Sequence, residues 1–531
     1  MSIDPGLLDD LEWRGLIAHS TDPDALRAAF TEGPVRFYVG FDPTAPSLHM
    51  GNLVQILTAR RLQLAGHVPY ALVGGATGMI GDPKETGERT LNSLDIVKDW
   101  VERVRSQIEP FLDFDGPNAA TMVNNYDWTA SLSVIDFLRD IGKHFPVNRM
   151  LARDVVNRRL ESGISYTEFS YVLLQSMDFL NLYRDHGVTL QFGGSDQWGN
   201  ITAGVELVRR ADGGRVHAFA TPLVTKADGT KYGKTEGGAL WLDPSMLSPY
   251  AFHQFWLNVE DEKVGELLRI FTFLSREEIE DLEAQTAEKP FLRAGQKALA
   301  DAVTTLVHGE RETEQAKAAA AALFGTGDLR ELDPATLAAA LQEAGATEVP
   351  RDDGMPTIVD LLVLSGLCKS KGEARRTVGE GGAYLNNERV TDPDSSPGAG
   401  DLLADGWLVV RRGKKKIAGV RVVLPWPRAP FQGVANGHEP DAEAAKPRLT
   451  CGNADVTANT RPPICVPREA LANVLFVARE RREARPRGRA SGPQRYPTHT
   501  PPPRWLGSAS GRPRIDSVAG ARAGPEEQEP I

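Results

Sequence analysis

Between Val35 and about Val224, short apolar runs with the composition of strands alternate with longer helical patterns, and this alternation constrains the fold more than any other feature of the chain. The runs at 35–42, 70–75 and 188–192 have the length and content of buried strands. Strands and helices that alternate in this way build a parallel core sheet with helices packed on its faces. The sequence therefore predicts an α/β fold with a Rossmann-like parallel sheet.

The pattern changes several times along the chain, which predicts a series of domains. The α/β pattern covers residues 1–245, with a mostly helical insertion at about 94–160, and a helical pattern follows at 246–325. Residues 326–354 are mixed and suggest a linker with one short helix, whereas residues 355–424 suggest a small α+β domain.

The last part of the chain, residues 425–531, is rich in Pro, Arg, Gly and Ala and shows little periodicity. Such a composition buries too little apolar surface to fold, so we expect a disordered extension that a protease can remove without loss of activity. The alternative is a weak affinity for RNA through the basic stretch at 468–482.

The overall charge and the cysteine content exclude several classes of protein. The formal net charge is −11, which argues against a basic protein that coats nucleic acid but not against a local basic patch for RNA. Three scattered cysteines are too few for a disulfide framework or a zinc site and favour a reducing compartment. No run reaches the roughly 18 consecutive apolar residues of a membrane span, and residues 1–16 lack the pattern of a signal peptide. We therefore expect a cytoplasmic protein without membrane contact.

A loop and a helix follow the first predicted strand and suggest a site for a phosphate. The loop Pro43–Asn52 contains His49 and Gly51, and a helix of about fifteen residues follows it, with Ser47 as the predicted N-cap. A helix N-terminus presents backbone N–H groups and a positive dipole end to an anion, and a glycine leaves room for a nucleotide to approach. Alone, however, a histidine at a helix start is more typical of an ordinary surface.

A second loop carries Lys231-Tyr-Gly-Lys-Thr235, in which two lysines three residues apart suit a polyphosphate whose charge grows during a reaction. Alone, this loop is more typical of a solvated turn. The order and separation of the two loops resemble the HIGH and KMSKS signatures of class I aminoacyl-tRNA synthetases, and Gly40–Thr44 resembles the tyrosine-specific form. Asn52 departs from that pattern, because many members have a second histidine there. The glycine-rich run Gly74–Pro83 lacks the ending of a P-loop and is interpreted as tight packing beside the same crevice.

A polar stripe on a buried helix predicts the pocket for the amino acid. The run Ser165–Leu180 has a helical pattern, in which Tyr171, Gln175 and Asp178 share one face and the other positions are mostly apolar. Buried polar groups need partners, which are either a ligand or an internal hydrogen-bond network. Tyr38 lies on the first predicted strand, and we expect it to converge with Asp178 on one polar spot.

The resemblance implies a role for each matching residue. In the tyrosyl enzymes, the residues that match Tyr38 and Asp178 bind the phenolic hydroxyl of the substrate. The other implied contacts to tyrosine are Asp82, Tyr171 and Gln175 with the ammonium and Gln197 with the carboxylate. The implied ATP site consists of Gly40, Asp42, Thr44, His49, Gly51, Asn52, Gly194, Asp196, Lys231 and Lys234. The implied catalytic contacts to the phosphates are Thr44, His49, Arg89, Lys231 and Lys234.

The resemblance also implies a reaction and its partners. Tyrosine is activated with ATP, accompanied by Mg²⁺ but by no protein-bound metal, and the tyrosyl group is transferred to the 3′ end of tRNA(Tyr). A homodimer that uses the insertion near residues 137–150 is implied as well. Two alternatives remain at this point, the related tryptophanyl-tRNA synthetase and a non-catalytic RNA-binding or splicing cofactor on a synthetase scaffold.

The segment Thr357–Asn387 resembles the alpha-L RNA-binding domain, which is also found in a ribosomal protein and in pseudouridine synthases. The basic residues on its helical part are predicted to contact RNA, and they are Lys369, Lys371, Arg375 and Arg376. A second basic cluster, Arg411–Lys416, follows a predicted strand. The alternative for both clusters is an ordinary solvated surface.

Overall fold

A computed structural model of the chain describes residues 3–84, 87, 91–230, 239–325, 327–350 and 354–423. All of these residues belong to one compact unit, which spans Met1–Gln432. The predictions made for Arg89, Lys231, Lys234 and the extension at 425–531 lie outside the described residues.

The first half of the chain forms a six-stranded sheet with the strand order β1-β6-β5-β2-β3-β4. Its strands are β1 (His19–Ser20), β2 (Arg36–Phe41), β3 (Val68–Val73), β4 (Thr121–Asn124), β5 (Leu190–Gly194) and β6 (His217–Thr221). The pairs from β6 to β4 are parallel, and only the short β1 runs antiparallel, along β6. The prediction of an α/β fold with a parallel core sheet is confirmed.

Helices cover both faces of this sheet. They are α1 (Leu7–Trp13), α2 (Pro23–Glu32), α3 (Met50–Leu64), α4 (Thr77–Ile80), α5 (Leu94–Ile108), α6 (Tyr126–Thr129), α7 (Val134–Asp136), α8 (Val147–Leu151), α9 (Asp154–Arg159), α10 (Tyr166–His186) and α11 (Trp198–Asp212). The buried side of β2 illustrates the core, because Phe37 and Phe41 are at most 2% exposed. The insertion contains helices α5 to α9 and also β4, a strand that was not predicted and that extends the sheet beyond β3.

The helical pattern after residue 246 is also observed. Its helices are α12 (Pro249–Leu257), α13 (Asp261–Phe271), α14 (Arg276–Glu288), α15 (Ala294–His308) and α16 (Glu310–Leu323). They join the six-stranded sheet through a shared core, in which Trp256 and Phe271 are fully buried.

The C-terminal part of the described chain forms a five-stranded sheet with the order β7-β11-β10-β8-β9. Its elements are α17 (Pro334–Glu343), β7 (Ala346–Pro350), α18 (Ile358–Leu364), α19 (Lys371–Gly379), β8 (Ala383–Leu385), β9 (Glu388–Arg389), β10 (Trp407–Arg412) and β11 (Lys416–Val423). The segment predicted as a linker differs from that prediction. Its strand β7 pairs in parallel with β11, and Leu337 and Leu341 of α17 share a core with Trp407.

No helix in the described part of the chain combines the length and the apolar character needed to cross a membrane.

Candidate active site

A cavity of about 540 Å³ opens at the carboxyl ends of β2 and β5, where ligands bind in sheets of this kind. Every described residue of the predicted tyrosine and ATP sets lines it. These residues are Tyr38, Gly40, Asp42, Thr44, His49, Gly51, Asn52, Asp82, Tyr171, Gln175, Asp178, Gly194, Asp196 and Gln197. Two strands, two α-helices and the segments between them therefore bring together residues that are up to about 160 positions apart in the sequence.

The innermost polar groups of the cavity belong to Tyr38 and Asp178. Tyr38 is 1% exposed, and its hydroxyl has no hydrogen-bond partner among the described residues. Asp178 is 2% exposed and accepts hydrogen bonds from Asn125 Nδ2 at 3.0 Å and from Trp128 Nε1 at 3.0 Å. Burial raises the pKa of Asp178 to about 8, although the bonds from Asn125 and Trp128 act in the opposite direction. A buried hydroxyl and a buried carboxyl group thus face the same space.

A chain of hydrogen bonds continues along the wall of the cavity. The Tyr171 hydroxyl donates to Asp42 Oδ2 at 2.6 Å, and Thr77 Oγ1 donates to Asp42 Oδ1 at 2.6 Å. Burial, followed by the charge of Asp42, raises the pKa of Tyr171 well above its ordinary value, so this hydroxyl stays protonated. Gln175 contributes a buried amide oxygen, Oε1, that has no partner among the described residues.

A second polar cluster surrounds Asp82. Gln197 Nε2 donates to Asp82 Oδ2 at 2.9 Å, and Asn200 Nδ2 donates to Asp82 Oδ1 at 3.2 Å and to Gln197 Oε1 at 2.8 Å. Arg153 donates in turn to Asn200 Oδ1. The carboxylate of Asp82 is therefore held from two sides while it lines the cavity.

The helix that follows β2 begins differently from the prediction. His49, rather than Ser47, is the N-cap of α3, because the His49 backbone is extended and Nδ1 accepts from Gly51 N at 3.0 Å. Ser47 is instead buried, where its hydroxyl donates to Leu48 O at 2.8 Å and accepts from Asp243 N at 3.1 Å. Asn52 completes a capping box, since its Oδ1 accepts from His49 N at 3.1 Å.

This capping arrangement determines the hydrogen on the His49 ring. Because Nδ1 accepts the Gly51 hydrogen bond, a neutral ring carries its hydrogen on Nε2, which becomes a donor. Burial of the ring lowers the pKa of His49, because desolvation disfavours the charged form, and the neutral form is therefore favoured. A Cβ on residue 51 would contact the His49 ring, so glycine is needed at Gly51 for the ring to fold back over the helix start.

The loop with the second lysine signature lies outside the described residues, but the residues on either side of it are described. Leu242 N donates to Leu48 O at 2.9 Å and Met50 N donates to Leu240 O at 3.0 Å, so this strand-like segment flanks His49. Val224 and Ala239 line the cavity. Residues before and after this loop therefore both line the cavity.

The sequence analysis missed several side chains that hold the site together. Asn125 and Trp128 follow β4, which was not predicted, and Thr77 and Asn200 were not singled out. Without β4, the sequence offered no signal for Asn125 as a residue that follows a strand end. The glycine-rich run was interpreted as tight packing, and Gly74 supports that interpretation, because a Cβ there would overlap Asp42 Oδ1 and Thr77 Oγ1.

The predicted RNA-binding residues lie on the C-terminal domain, which contains the five-stranded sheet, and none of them lines the cavity. Lys369, Lys371, Arg375 and Arg376 are exposed around α19, where Lys371 pairs with Asp360 at 2.8 Å and Arg375 pairs with Asp394 at 2.8 Å. The second basic cluster, Arg411–Lys416, is only partly exposed. Its members Lys414, Lys415 and Lys416 are exposed, whereas Arg411 is buried and donates to Asn387 Oδ1 at 2.6 Å and Arg412 pairs with Glu373 at 2.8 Å.

Within the described residues, no group of three or more His, Cys, Asp or Glu side chains is arranged to hold a metal ion.

Comparison with known proteins identifies two matching family models. Residues 31–325 match the class I tRNA synthetases (W and Y), and residues 337–420 match the tyrosine–tRNA ligase SYY-like C-terminal domain. The chain is 63% identical over 419 residues to the tyrosine–tRNA ligase of Streptomyces coelicolor, an alignment that covers 78% of this chain and 99% of the relative. It is 61% identical over 420 residues to the tyrosine–tRNA ligase of Nocardia farcinica, with 78% and 98% covered.

A solved structure shows the same fold. A C-terminally truncated mitochondrial tyrosyl-tRNA synthetase of Aspergillus nidulans aligns with a TM-score of 0.53 at 31% identity, over 58% of this chain and 92% of the other.

Proposed function

The chain belongs to the class I tyrosyl-tRNA synthetases, and on that basis we propose that its cavity is the place where tyrosine reacts with ATP to form tyrosyl-adenylate and pyrophosphate. As a tyrosine–tRNA ligase, the protein then transfers the tyrosyl group to tRNA. Two buried groups carry the proposed site, namely the Tyr38 hydroxyl, which has no hydrogen-bond partner among the described residues, and the Asp178 carboxyl group, and both line a cavity that opens at a helix N-terminus.

Tyr38 and Asp178 suit the phenol of tyrosine. The substrate hydroxyl can donate to Asp178 and bond with the Tyr38 hydroxyl, which satisfies a buried group that otherwise has no partner among the described residues. Phenylalanine would leave the Tyr38 hydroxyl without that partner, at a cost of about 1–3 kcal/mol, and Asp178 would keep only its bonds from Asn125 and Trp128. The matched relatives are tyrosine ligases, which favours tyrosine over the tryptophan alternative.

The ammonium of tyrosine is expected to bind between Asp82, Tyr171 and Gln175. Asp82 supplies negative charge, and Gln175 supplies an amide oxygen that no described group occupies. The Tyr171 hydroxyl donates its hydrogen bond to Asp42, so a lone pair of its oxygen remains to accept a bond from the ammonium. The Nε2 group of Gln197 has a second hydrogen beyond the one donated to Asp82, and we assign that hydrogen to the tyrosine carboxylate.

We propose that the ATP phosphates bind at the N-terminus of α3. His49 offers Nε2–H, and the first N–H groups of α3 add partial positive charge. Thr44 lines the same part of the cavity, and Gly194 and Asp196 line the opposite wall, where we expect the ribose. Arg89, Lys231 and Lys234 are proposed to neutralise the leaving pyrophosphate, although they lie outside the described residues.

We propose that ATP enters as its magnesium complex, in which the metal supplies charge neutralisation at the phosphates. Mg²⁺ is commonly held by substrate phosphates and water together with one or two carboxylates, rather than by a cage of protein ligands.

The reaction needs no nucleophile from the protein, because the tyrosine carboxylate attacks the α-phosphate directly. The residues of this chain accelerate the reaction by orienting both reactants and by placing donors where negative charge grows. Tyr38, Asp178 and the ammonium ligands orient tyrosine, while His49 and the α3 N-terminus stabilise the phosphates. No side chain is assigned a proton transfer in this step.

We also propose a separate role for each region of the chain. Residues 1–245 carry the adenylate chemistry, 246–325 face the anticodon side of the tRNA, and 355–424 bind RNA, with α17 and β7 packed against that last domain. A cytoplasmic location follows from the need for tRNA and ATP.

A homodimer is proposed through the insertion, because large apolar side chains are exposed there. Val134, Ile135 and Val147 are 72%, 69% and 60% exposed, which is unusual for a surface without a partner.

ATP–pyrophosphate exchange tests the proposed activity. The exchange should depend on tyrosine and should be weak with phenylalanine or tryptophan as the only amino acid. An absence of exchange with all three amino acids would leave the chain as an RNA-binding protein only.

A further inference from the structure

A buried ion pair joins two walls of the cavity without touching the space inside it. Arg159 is the last residue of α9, and Glu168 lies in the first turn of α10. Their side chains are 4% and 1% exposed, and Arg159 Nη2 lies 3.2 Å from Glu168 Oε2. Charged groups are seldom buried this deeply unless other hydrogen bonds satisfy them as well.

The guanidinium of Arg159 finds those additional bonds on backbone carbonyls. Nε and Nη2 donate to Gly163 O at 3.1 and 3.0 Å, and Nη1 donates to Lys84 O at 2.7 Å and to Gly87 O at 3.0 Å. Lys84 and Gly87 also form an antiparallel bridge with each other. Nη1 of the planar fork therefore holds both sides of a turn while Nε and Nη2 hold Gly163 and face Glu168. A lysine cannot reproduce this set of contacts, because its donors radiate from a single atom.

The turn held by Arg159 follows directly after a residue of the tyrosine pocket. Lys84 stands two positions after Asp82, whose carboxylate lines the cavity. On the other side, Glu168 lies on the same face of α10 as Tyr171, Gln175 and Asp178, because these positions follow the helical period. Arg159 thus connects the segment that carries Asp82 to the helix that carries the other polar groups of the pocket.

We propose that Arg159, supported by Glu168, is a positioning residue for the tyrosine substrate. Its fork fixes the turn after Asp82 so that the Asp82 carboxylate faces the substrate ammonium at the same time as Tyr171 and Gln175. This inference rests on the proposed function, since it assumes that tyrosine occupies the cavity. It concerns tyrosine rather than ATP, because His49 and the N-terminus of α3 belong to a different wall.

The variant Arg159→Lys tests the inference, because it keeps a positive charge beside Glu168 and loses the fork. In ATP–pyrophosphate exchange, the KM for tyrosine should rise about tenfold or more, since small misplacements of binding groups have effects of this size. The KM for ATP should stay within about twofold by the same reasoning, because the groups assigned to the phosphates are not moved. An unchanged KM for tyrosine in the folded variant would overturn the inference.

A pair of neutral variants separates positioning from simple charge balance. Arg159→Met removes the positive charge beside the buried Glu168 carboxylate, whereas Arg159→Met with Glu168→Gln removes the carboxylate charge as well. We expect the double variant to regain part of the thermal stability while its KM for tyrosine stays high, because the carbonyls of Lys84 and Gly87 lack a donor in both. Recovery of the KM together with the stability would show that the pair only balances charge and would overturn the inference.

Arg14→Lys is the matched control. Arg14 is 8% exposed and also holds backbone carbonyls with its fork, those of Arg269, Thr272 and Leu274, but it lies outside the cavity lining. This control should lose stability without a change in either KM. If the unmodified protein shows no tyrosine-dependent exchange, the proposed function itself is contradicted. If the unmodified protein is active and Arg159→Lys has a normal KM for tyrosine, only the role of Arg159 is contradicted.

Discussion

The indole nitrogen of Trp128 donates a hydrogen bond of 3.0 Å to Oδ1 of Asp178, inside the cavity. Asn125 occupies the other carboxylate oxygen at the same distance of 3.0 Å. Both donors approach from the protein, so the remaining lone pairs of Asp178 are available to a ligand. The acceptor character of Asp178 is therefore built by two residues that follow an edge strand, and it should decide how the pocket distinguishes tyrosine from phenylalanine.

Replacing this carboxylate with an amide should weaken that discrimination. In Asp178→Asn, the NH₂ group must face Trp128, Asn125 or the substrate hydroxyl, all of which donate. One mismatched buried pair costs about 1–3 kcal/mol, so the preference for tyrosine over phenylalanine should fall by about 5- to 150-fold. The measurement is kcat/KM for both amino acids in ATP–pyrophosphate exchange. Asp212→Asn, which alters a pair with Arg184 outside the cavity, is the control, and an unchanged preference in Asp178→Asn would remove Asp178 from the phenol site.

The same variant gives a prediction for the pH dependence of stability. Burial raises the folded-state pKa of Asp178 from the ordinary 3.8 to about 8. Between these values the folded protein binds this proton more tightly than the unfolded chain does, so the contribution of Asp178 to stability falls as the pH rises. Asp178→Asn lacks this titration, whereas all other groups titrate in both proteins.

Urea unfolding without tyrosine measures this effect. The free energy of unfolding of the unmodified protein, minus that of Asp178→Asn, should decrease steadily from about pH 4 to about pH 8. Above that range the difference should level off, because the carboxylate is then charged in the folded and the unfolded state alike. A difference that does not vary over this window would mean that Asp178 titrates near its ordinary pKa in the folded protein.

Asn52 offers a test of the helix start that separates stability from nucleotide binding. Its Oδ1 caps the His49 N–H, so Asn52→Ala should cost about 1 kcal/mol of stability, as the loss of a cap usually does. Asn52→Asp keeps the acceptor and adds a charge that favours the helix N-terminus. The Asn52→Asp variant should therefore keep the stability of the unmodified protein but have a higher KM for ATP, because the added negative charge repels the triphosphate. Normal ATP kinetics in Asn52→Asp would place the phosphates elsewhere.

Sequence periodicity was sufficient where local pattern and tertiary contacts agree. The polar face of α10 was predicted because Tyr171, Gln175 and Asp178 follow a helical period within a nearly apolar segment, and the buried runs of β2 and β5 follow from their composition. The helix after His49 was predicted with the correct length, since its apolar positions repeat regularly over Met50–Leu64.

Other features depend on contacts that the sequence pattern does not contain. Strand β4 has four residues, all half-buried, so neither length nor alternation marks it within a helical region. Ser47 is a good N-cap by residue type, but its hydroxyl is engaged by Leu48 and Asp243, and His49 takes the cap instead. Arg411 belongs to a basic cluster in the sequence, yet it lies in β10 and turns inward to Asn387.

The C-terminal domain, which contains the five-stranded sheet, should contribute to tRNA affinity without affecting adenylate formation. Alanine at both Lys369 and Arg376, which are exposed around α19, should weaken tRNA binding and lower the slope of log affinity against log salt by about one for each phosphate that is no longer neutralised. Tyrosine-dependent ATP–pyrophosphate exchange should remain normal. Arg103→Ala, on the exposed face of α5, is the control, and tRNA binding that is equally salt-dependent in the double variant would place the RNA on another surface.

The insertion should carry the dimer contact, and a single charge should break it. Ile135 is 69% exposed next to Val134 at 72%, so a partner that covers this surface would bury both. In Ile135→Glu the carboxylate would have to be desolvated without a counter-charge, which disfavours association strongly. Light scattering should therefore report a dimer for the unmodified protein and a monomer for the variant at the same concentration. Phe291→Glu provides a matched control, because Phe291 is 78% exposed but lies in the helical region, outside the insertion. If Ile135→Glu stays dimeric while Phe291→Glu dissociates, the interface lies on the helical region and the insertion is not the contact.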